Sequence, residues 1–299
     1  SLHDALPICR LFNIRFFYKK VISRSLSGNI KKIINNINGA YCVAIYVGTE
    51  CINGKYTLQI MDKDANIIGY AKIAKSENGN KYIINEKETL EYLNKLNLQS
   101  GYIPDVVCFD DINSILVQST KNNLRKDKNK LNIKHINFLS ELYQKTKVIY
   151  TFKESEAYRH ILDIKEDIED NYIQIIEKVL YKLIYEFDIK EIQYCFSHND
   201  FYTHNIKEYK DSIFVYDWEV ASISPIYFDI FHYIYEQKIK RYKNSLEIFI
   251  ESILNDKYID RFEENNNIDK SVREPMLIIY LCEIIYNYKF NLKFGYKEE

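Results

Sequence analysis

Much that would define a function is missing from this sequence. The six cysteines (Cys9, Cys42, Cys51, Cys108, Cys195 and Cys282) form no C-x-x-C pair, and none stands at zinc-finger spacing to a histidine. That excludes the common structural zinc modules and reads the thiols as buried and reduced, as in a cytoplasmic protein. No apolar run reaches the ~18 residues of a membrane span. A formal net charge of -1 over 299 residues creates no field that would recruit nucleic acid or an anionic membrane. There is no G-x-S-x-G or other nucleophile motif, and no internal repeat. His198, Asp200 and His204 lack the helical H-x-x-x-H spacing of a metal site. The 27 tyrosines, with abundant Ile, Asn and Lys, read as the base composition of the gene rather than as an aromatic cage. The opening Ser1–Pro7 has neither an initiator Met nor a signal-peptide core; it reads as a truncation or a cloning or assembly scar.

What is present suits a soluble α+β chain with 46% hydrophobic and 28% charged residues, long enough for two modest cores. Residues 1–37 are expected to form an N-terminal extension, part of it a short helix anchored by Phe16, Phe17, Val21 and Ile22. Residues 38–119 read as a β-β-β-α-β-β lobe. Its strands are expected over 40–47, 56–61, 67–74, 104–107 and 114–118 in an antiparallel five-stranded sheet. Its helix is expected over 85–96, with Leu90, Leu93 and Leu96 on one face and Glu86 elsewhere. The Lys-rich stretch 120–130 reads as a solvated connector. The larger lobe, 120–299, reads as mainly helical. Its clearest helix spans 171–187, with Tyr172, Ile176, Val179, Leu180, Leu183 and Ile184 at helical spacing.

The most informative segment follows that helix. His198-Asn199-Asp200 and Asn205 spell H-N-D-x-x-x-x-N, and Asp217-Trp218-Glu219 begins twelve positions after the asparagine, at the end of an apolar strand over 212–216. Alone, Asp200 reads as a turn or cap residue. Asp217 is the stronger case, because a carboxylate ending a buried strand needs a cation or several donors beside it. A lysine or backbone amides would serve, and so would magnesium, a hard cation that takes few protein ligands and keeps several waters. One carboxylate, one carboxamide and a second carboxylate at this spacing can supply a proton acceptor and two magnesium ligands, the equipment for moving a phosphoryl group from a nucleotide to a hydroxyl.

These residues resemble the aminoglycoside phosphotransferase and choline kinase family, which shares the two-lobed protein-kinase-like fold. Its pattern is H-x-D-x-x-x-x-N followed by a strand ending in D-W-E or a relative. The resemblance implies Asp200 as catalytic base, Asn205 and Asp217 as magnesium ligands, and His198 as a structural support of the loop. Asp229, in Pro225–Ile230, matches a family aspartate that braces that loop. It also implies a lysine on the third strand for the nucleotide phosphates, held by a helix glutamate. Lys72 fits the first; Glu86 or Glu88 fits the second. The segment 48–55 would cover the nucleotide, through Gly48, Thr49 and backbone amides with Lys55 assisting, although it is no G-x-G-x-x-G and a plain hairpin loop reads equally well. Gln118, Ser119 and Thr120 would be the hinge that meets the adenine.

The activity implied is transfer of the γ-phosphate of ATP or GTP, with Mg2+, to the hydroxyl of a small molecule; the protein-kinase D-F-G is absent. The acceptor would be a sugar, a glycan precursor, an amino alcohol or an aminoglycoside. The run Tyr227–His232 is similar to bacterial phosphotransferases linked to surface-polysaccharide genes. The acidic stretch Lys165–Asp170 could meet a polycationic drug but reads first as a solvated helix end. A catalytically silent nucleotide-binding protein of the same fold is the alternative, and the residues leave the oligomeric state open.

Overall fold

A computed structural model of the chain describes residues 37–46, 54–241 and 245–289. The expected N-terminal helix and the loop residues Gly48 and Thr49 lie outside the described residues. The chain divides into two compact units, one holding residues up to Tyr92 with Pro104–Leu124, the other Leu93–Ile103 with the chain from Arg125 on.

The first unit is built on an antiparallel five-stranded sheet, in the order β1 (Cys42–Tyr46), β2 (Lys55–Met61), β3 (Ile67–Ala74), β6 (Ile115–Ser119), β5 (Val106–Asp110). Val43, Leu58, Ile60, Ala71, Ile115 and Val117 share its core. The β2–β3 turn closes because the Asp62 carboxylate accepts from the N–H groups of Asp64 and Asn66, at 2.9 and 2.8 Å, while Ala65 takes a left-handed φ of 64°.

Helix α1 spans Glu77–Lys95 and so begins eight residues before the expected start. The polar residues Asn78, Asn80 and Lys81 masked its first turns, but Ile83, Glu86, Leu90 and Leu93 are all fully buried. Positions 83, 86, 90 and 93 fall on one helical stripe. Glu86 therefore belongs to the buried face, not to another one, and Glu88 is exposed.

The second unit takes its bulk from helices α2 (Ile133–Thr146), α3 (Glu156–Asp167), α4 (Asp170–Tyr181), α5 (Phe228–Tyr235), α6 (Leu246–Leu254), α7 (Lys257–Asn266) and α8 (Arg273–Lys289). Two small sheets run β4 (Gly101–Tyr102), β11 (Ser212–Val215), β10 (Ile206–Tyr209), β7 (Arg125–Lys126) and β12 (Ser222–Pro225), β9 (Glu191–Ser197), β8 (Val148–Thr151). Gly101 lets β4 approach α2: a Cβ there would come within 2.1 Å of the Phe138 ring.

Helix α4 passes into a π-turn over Lys182–Glu186. Of its expected anchors only Ile176 and Leu183 are fully buried, and Tyr172 is exposed. The change of winding at residue 182 breaks the 3.6-residue period on which the longer stripe was drawn. The connector 120–130 is mostly exposed, as expected, with one buried exception. Arg125 and Lys126 pair with β10, and Asp127 is buried. The Asp127 carboxylate accepts from the Tyr233 hydroxyl at 2.7 Å and lies 3.3 Å from His135 Nε2. That imidazole is oriented by the capping box of α2, where His135 Nδ1 accepts the Asn132 N–H at 3.2 Å.

Candidate active site

In the first unit, strand β3 and helix α1 bring together two residues fourteen apart in sequence. Lys72 Nζ donates to both oxygens of Glu86, at 2.6 and 2.5 Å, with the lysine side chain 9% exposed and the glutamate fully buried. Such a pair forms where β3, held in register between β2 and β6, turns residue 72 toward the buried stripe of α1. A desolvated ammonium fixed at both ends of a carboxylate is a preoriented positive charge. Gln118 is buried at the end of β6. Ser119 is committed locally: its amide donates to Asp105 O at 2.9 Å and its hydroxyl to the Asp105 carboxylate at 3.0 Å. Any contact of the 118–120 backbone with a base must therefore use groups other than the Ser119 N–H.

In the second unit, β9 delivers the loop that carries Asp200. The loop is tied at three points. The Asp229 carboxylate, at the start of α5, accepts the His198 N–H at 2.8 Å on one oxygen and the Asn199 N–H at 2.9 Å on the other. Burial pushes the Asp229 carboxyl up, against the opposing pull of the two amides it accepts from.

His198 is the second tie. Its Nε2 lies 2.9 Å from Tyr216 O and its Nδ1 accepts the Asp200 N–H at 3.2 Å. A carbonyl on one side and an amide on the other require the neutral Nε2–H tautomer. The imidazole thus joins residue 200 to residue 216, one position before Asp217. Trp218 packs on it, ring centroids 4.6 Å apart, and donates its indole N–H to Val215 O at 3.0 Å.

Asn199 is the third tie and has no role in the sequence reading. It sits at a left-handed φ of 63°, which Asn tolerates better than most side chains. Its carboxamide bonds across to β12: Nδ2 donates to Ser222 Oγ at 2.8 Å and to Val220 O at 3.1 Å, and Oδ1 accepts from Ser224 Oγ at 2.7 Å. The middle letter of H-N-D was the only signal for it.

The loop holds Asp200 against Asn205, whose Nδ2 donates to the Asp200 carboxylate at 2.7 Å and to its backbone carbonyl at 3.0 Å. The other carboxylate oxygen of Asp200 lies 3.6 Å from Nε2 of His232, a buried α5 residue whose Nδ1 is 3.3 Å from the Tyr280 hydroxyl. The Asp200 side chain is 43% exposed by area, yet protein surrounds it closely enough that burial raises its carboxyl. The nearness of His232 outweighs that, and Asp200 is held below the usual carboxylate range even though Asp217 opposes the shift. His232 was visible in sequence only as part of Tyr227–His232; nothing in its spacing tied it to Asp200.

Asp217 has a left-handed φ of 69°, an unusual value for a non-glycine residue and one that re-aims its side chain as the chain leaves β11. A carboxylate oxygen of Glu219 lies within 4.8 Å of one of Asp217. Two carboxylates this close, with Asp200 feeling the charge of Asp217, form a hard-oxygen donor set of the kind that accepts a divalent cation. The acidic stretch over 165–170 lies at the exposed α3–α4 junction, where Lys165 pairs with Glu177 and Lys289 with Asp167.

No protein-family model and no curated protein matches the sequence. Solved structures do match the fold. The ADP-bound aminoglycoside phosphotransferase APH(2'')-Ib is 15% identical at a TM-score of 0.54, covering 92% of this chain and 93% of its own. An amicoumacin kinase in complex with AMP-PNP, Ca2+ and Ami is 14% identical at 0.54, covering 91% and 87%. The GDP complex of aminoglycoside 2'-phosphotransferase-IIIa is 12% identical at 0.55, covering 88% and 91%. No helix among the described residues is long and apolar enough to cross a membrane. The chain has the kinase-like α+β fold of the aminoglycoside phosphotransferases.

Proposed function

We propose that this protein is a phosphotransferase that moves the γ-phosphate of ATP or GTP to a hydroxyl of a small molecule. The observation that carries the reading is the Asp200–Asn205 contact, on a loop held by Asp229, His198 and Asn199. Asp200 is ionised at neutral pH and fixed in direction, as a base must be to take a hydroxyl proton in the transition state. The acceptor oxygen forms a bond to the γ-phosphorus, the bond to the bridging oxygen breaks, and the nucleoside diphosphate leaves with that electron pair.

Asn205 and Asp217 would hold magnesium. Asn205 spends its Nδ2 on Asp200, so its carboxamide oxygen is the donor it can offer, and Asp217 brings a carboxylate with that of Glu219 beside it. A bound magnesium would neutralise charge on the β- and γ-phosphates. Lys72, fixed by Glu86, supplies a positive charge suited to the α- and β-phosphates. The likeness in fold to solved nucleotide-bound kinases supports the same reading.

The test is release of diphosphate from Mg-ATP and Mg-GTP in the presence of sugars, amino sugars, ethanolamine, choline and aminoglycosides. At least one acceptor should be phosphorylated. Asp217→Asn, which suits the left-handed backbone but removes the charge, should abolish magnesium-dependent turnover with the fold intact. Full turnover in that variant would sink the reading. Nucleotide binding without transfer to any acceptor would leave a silent nucleotide-binding protein.

A further inference from the structure

One buried carboxylate of the second unit takes no part in the chemistry described above. Asp127 directly follows β7, just past the point where the chain passes from the first unit to the second, and is 3% exposed. One of its oxygens accepts the Tyr233 hydroxyl at 2.7 Å and the Asn129 N–H at 3.0 Å. The other faces His135 Nε2 at 3.3 Å. That nitrogen carries the ring proton, because Nδ1 accepts the Asn132 N–H. Burial raises the Asp127 carboxyl, and His135, Tyr233 and the Thr203 hydroxyl together pull it back down.

These contacts bracket Asp200. Thr203 stands three residues after it and two before Asn205, whose Nδ2 meets one Asp200 oxygen. Tyr233 is the neighbour on α5 of His232, whose Nε2 faces the other oxygen. Phe201, next to Asp200 in the chain, is fully buried against the same groups: its ring is edge-on to His135 at 5.9 Å and lies 6.2 Å from that of Tyr233. The backbone adds a further tie. Strand β7 pairs with β10, Lys126 opposite Lys207, and β10 begins at the residue after Asn205.

Stability does not account for the cluster. Asp127 Oδ1, His135 Nε2 and Thr203 Oγ1 are all buried, yet none completes a hydrogen bond among the described residues. Incompletely bonded buried polar groups are rare and costly, and apolar side chains of similar volume often serve such positions as well or better. What directed donors and acceptors supply instead is orientation.

We infer that Asp127 is a positioning residue for Asp200. Through Thr203 on the loop and Tyr233 on α5, it sets the spacing between the two groups that meet the Asp200 oxygens. Its part in catalysis rests on the phosphotransfer reading; its hold on the loop does not.

Thr203→Val and Tyr233→Phe each remove one hydroxyl and little volume, whereas Thr203→Ser keeps the hydroxyl. Hydrogen exchange on the full chain, followed by mass spectrometry, reads the hold on the loop. Peptides over 198–205 should exchange about fivefold faster in the first two variants, the scale of one neutral hydrogen bond, with Thr203→Ser at the wild-type rate and β8 unchanged in all three. With an acceptor identified, the first two variants should lower kcat about tenfold or more while KM for Mg-ATP moves less than about twofold, and Thr203→Ser should keep the wild-type kcat. If one of the two does not fold, the other decides. Unchanged loop exchange, or faster exchange spread evenly over the second unit, would overturn the inference. Faster loop exchange with an undiminished kcat overturns the positioning role. No transfer by the wild type to any molecule overturns the phosphotransfer reading and leaves the hold on the loop standing.

Discussion

Two buried carboxylates, one in each unit, are answered in different ways. In the first, Lys72 and Glu86 answer one charge with another. In the second, the buried Asp229 carboxylate has no lysine or arginine on it among the described residues. It is answered by two backbone amides, and the loop it holds is fastened further by a neutral imidazole and a carboxamide. An ion pair fixes one charge in place and leaves its backbone alone. Amide-to-carboxylate bonds fix the backbone, and so the direction of every side chain on it. A charge that must wait for phosphates suits the first arrangement, and a base that must meet a hydroxyl at a set angle suits the second.

The contrast can be broken most severely at Asp200. Once an acceptor is identified, Asp200→Asn should lower the transfer rate by about 10²–10⁴ at saturating acceptor, with an unchanged denaturation midpoint. A loss under about tenfold would end the base assignment. Next in size is the ion pair. Lys72→Met or Glu86→Leu alone should cost about 3–5 kcal/mol in guanidinium unfolding, because each leaves a buried charge uncompensated. The double variant should recover most of that loss, and additive losses would show that the pair is not the stabilising unit. Asp229→Ala should cost about 2 kcal/mol or more by stranding two buried amides, and no second substitution at a charged residue should restore it.

The smallest effect is on pH dependence. Burial raises the Asp127 carboxyl, but its contacts with His135 and Tyr233 outweigh this and hold it below the ordinary range. A depressed folded value contributes stability that is present above the unfolded value and lost as pH falls through the folded one. Below about pH 4, wild type should therefore lose stability more steeply than Asp127→Asn, as read from urea midpoints at a series of pH values.

Much of the first unit was legible because alternation, turn residues and length mark strands locally; β3 was expected at the residues it occupies. Its helix was misjudged because the tertiary partner of Glu86, a lysine fourteen residues away, makes a polar position part of the buried stripe. In the second unit, the H-N-D-x-x-x-x-N and D-W-E segments stood out, since their spacing is set by one loop and one hairpin. The roles of Asn199 and His232 could not be read from sequence. Their partners are Ser222 and Ser224, and Asp200 and Tyr280, from 23 to 48 residues away.

By itself the sequence determined which residues could do chemistry, because carboxylate, carboxamide and ammonium groups at fixed spacing have few uses together. It also determined the strands of the first unit's sheet, because side-chain alternation is local. Only the tertiary structure decided that Glu86, not Glu88, meets Lys72 and that His198 is a neutral tether. It alone showed that Asp200 is turned by Asn205 and His232. Those facts depend on which groups lose water together, and that is settled by packing between distant segments rather than by any one of them.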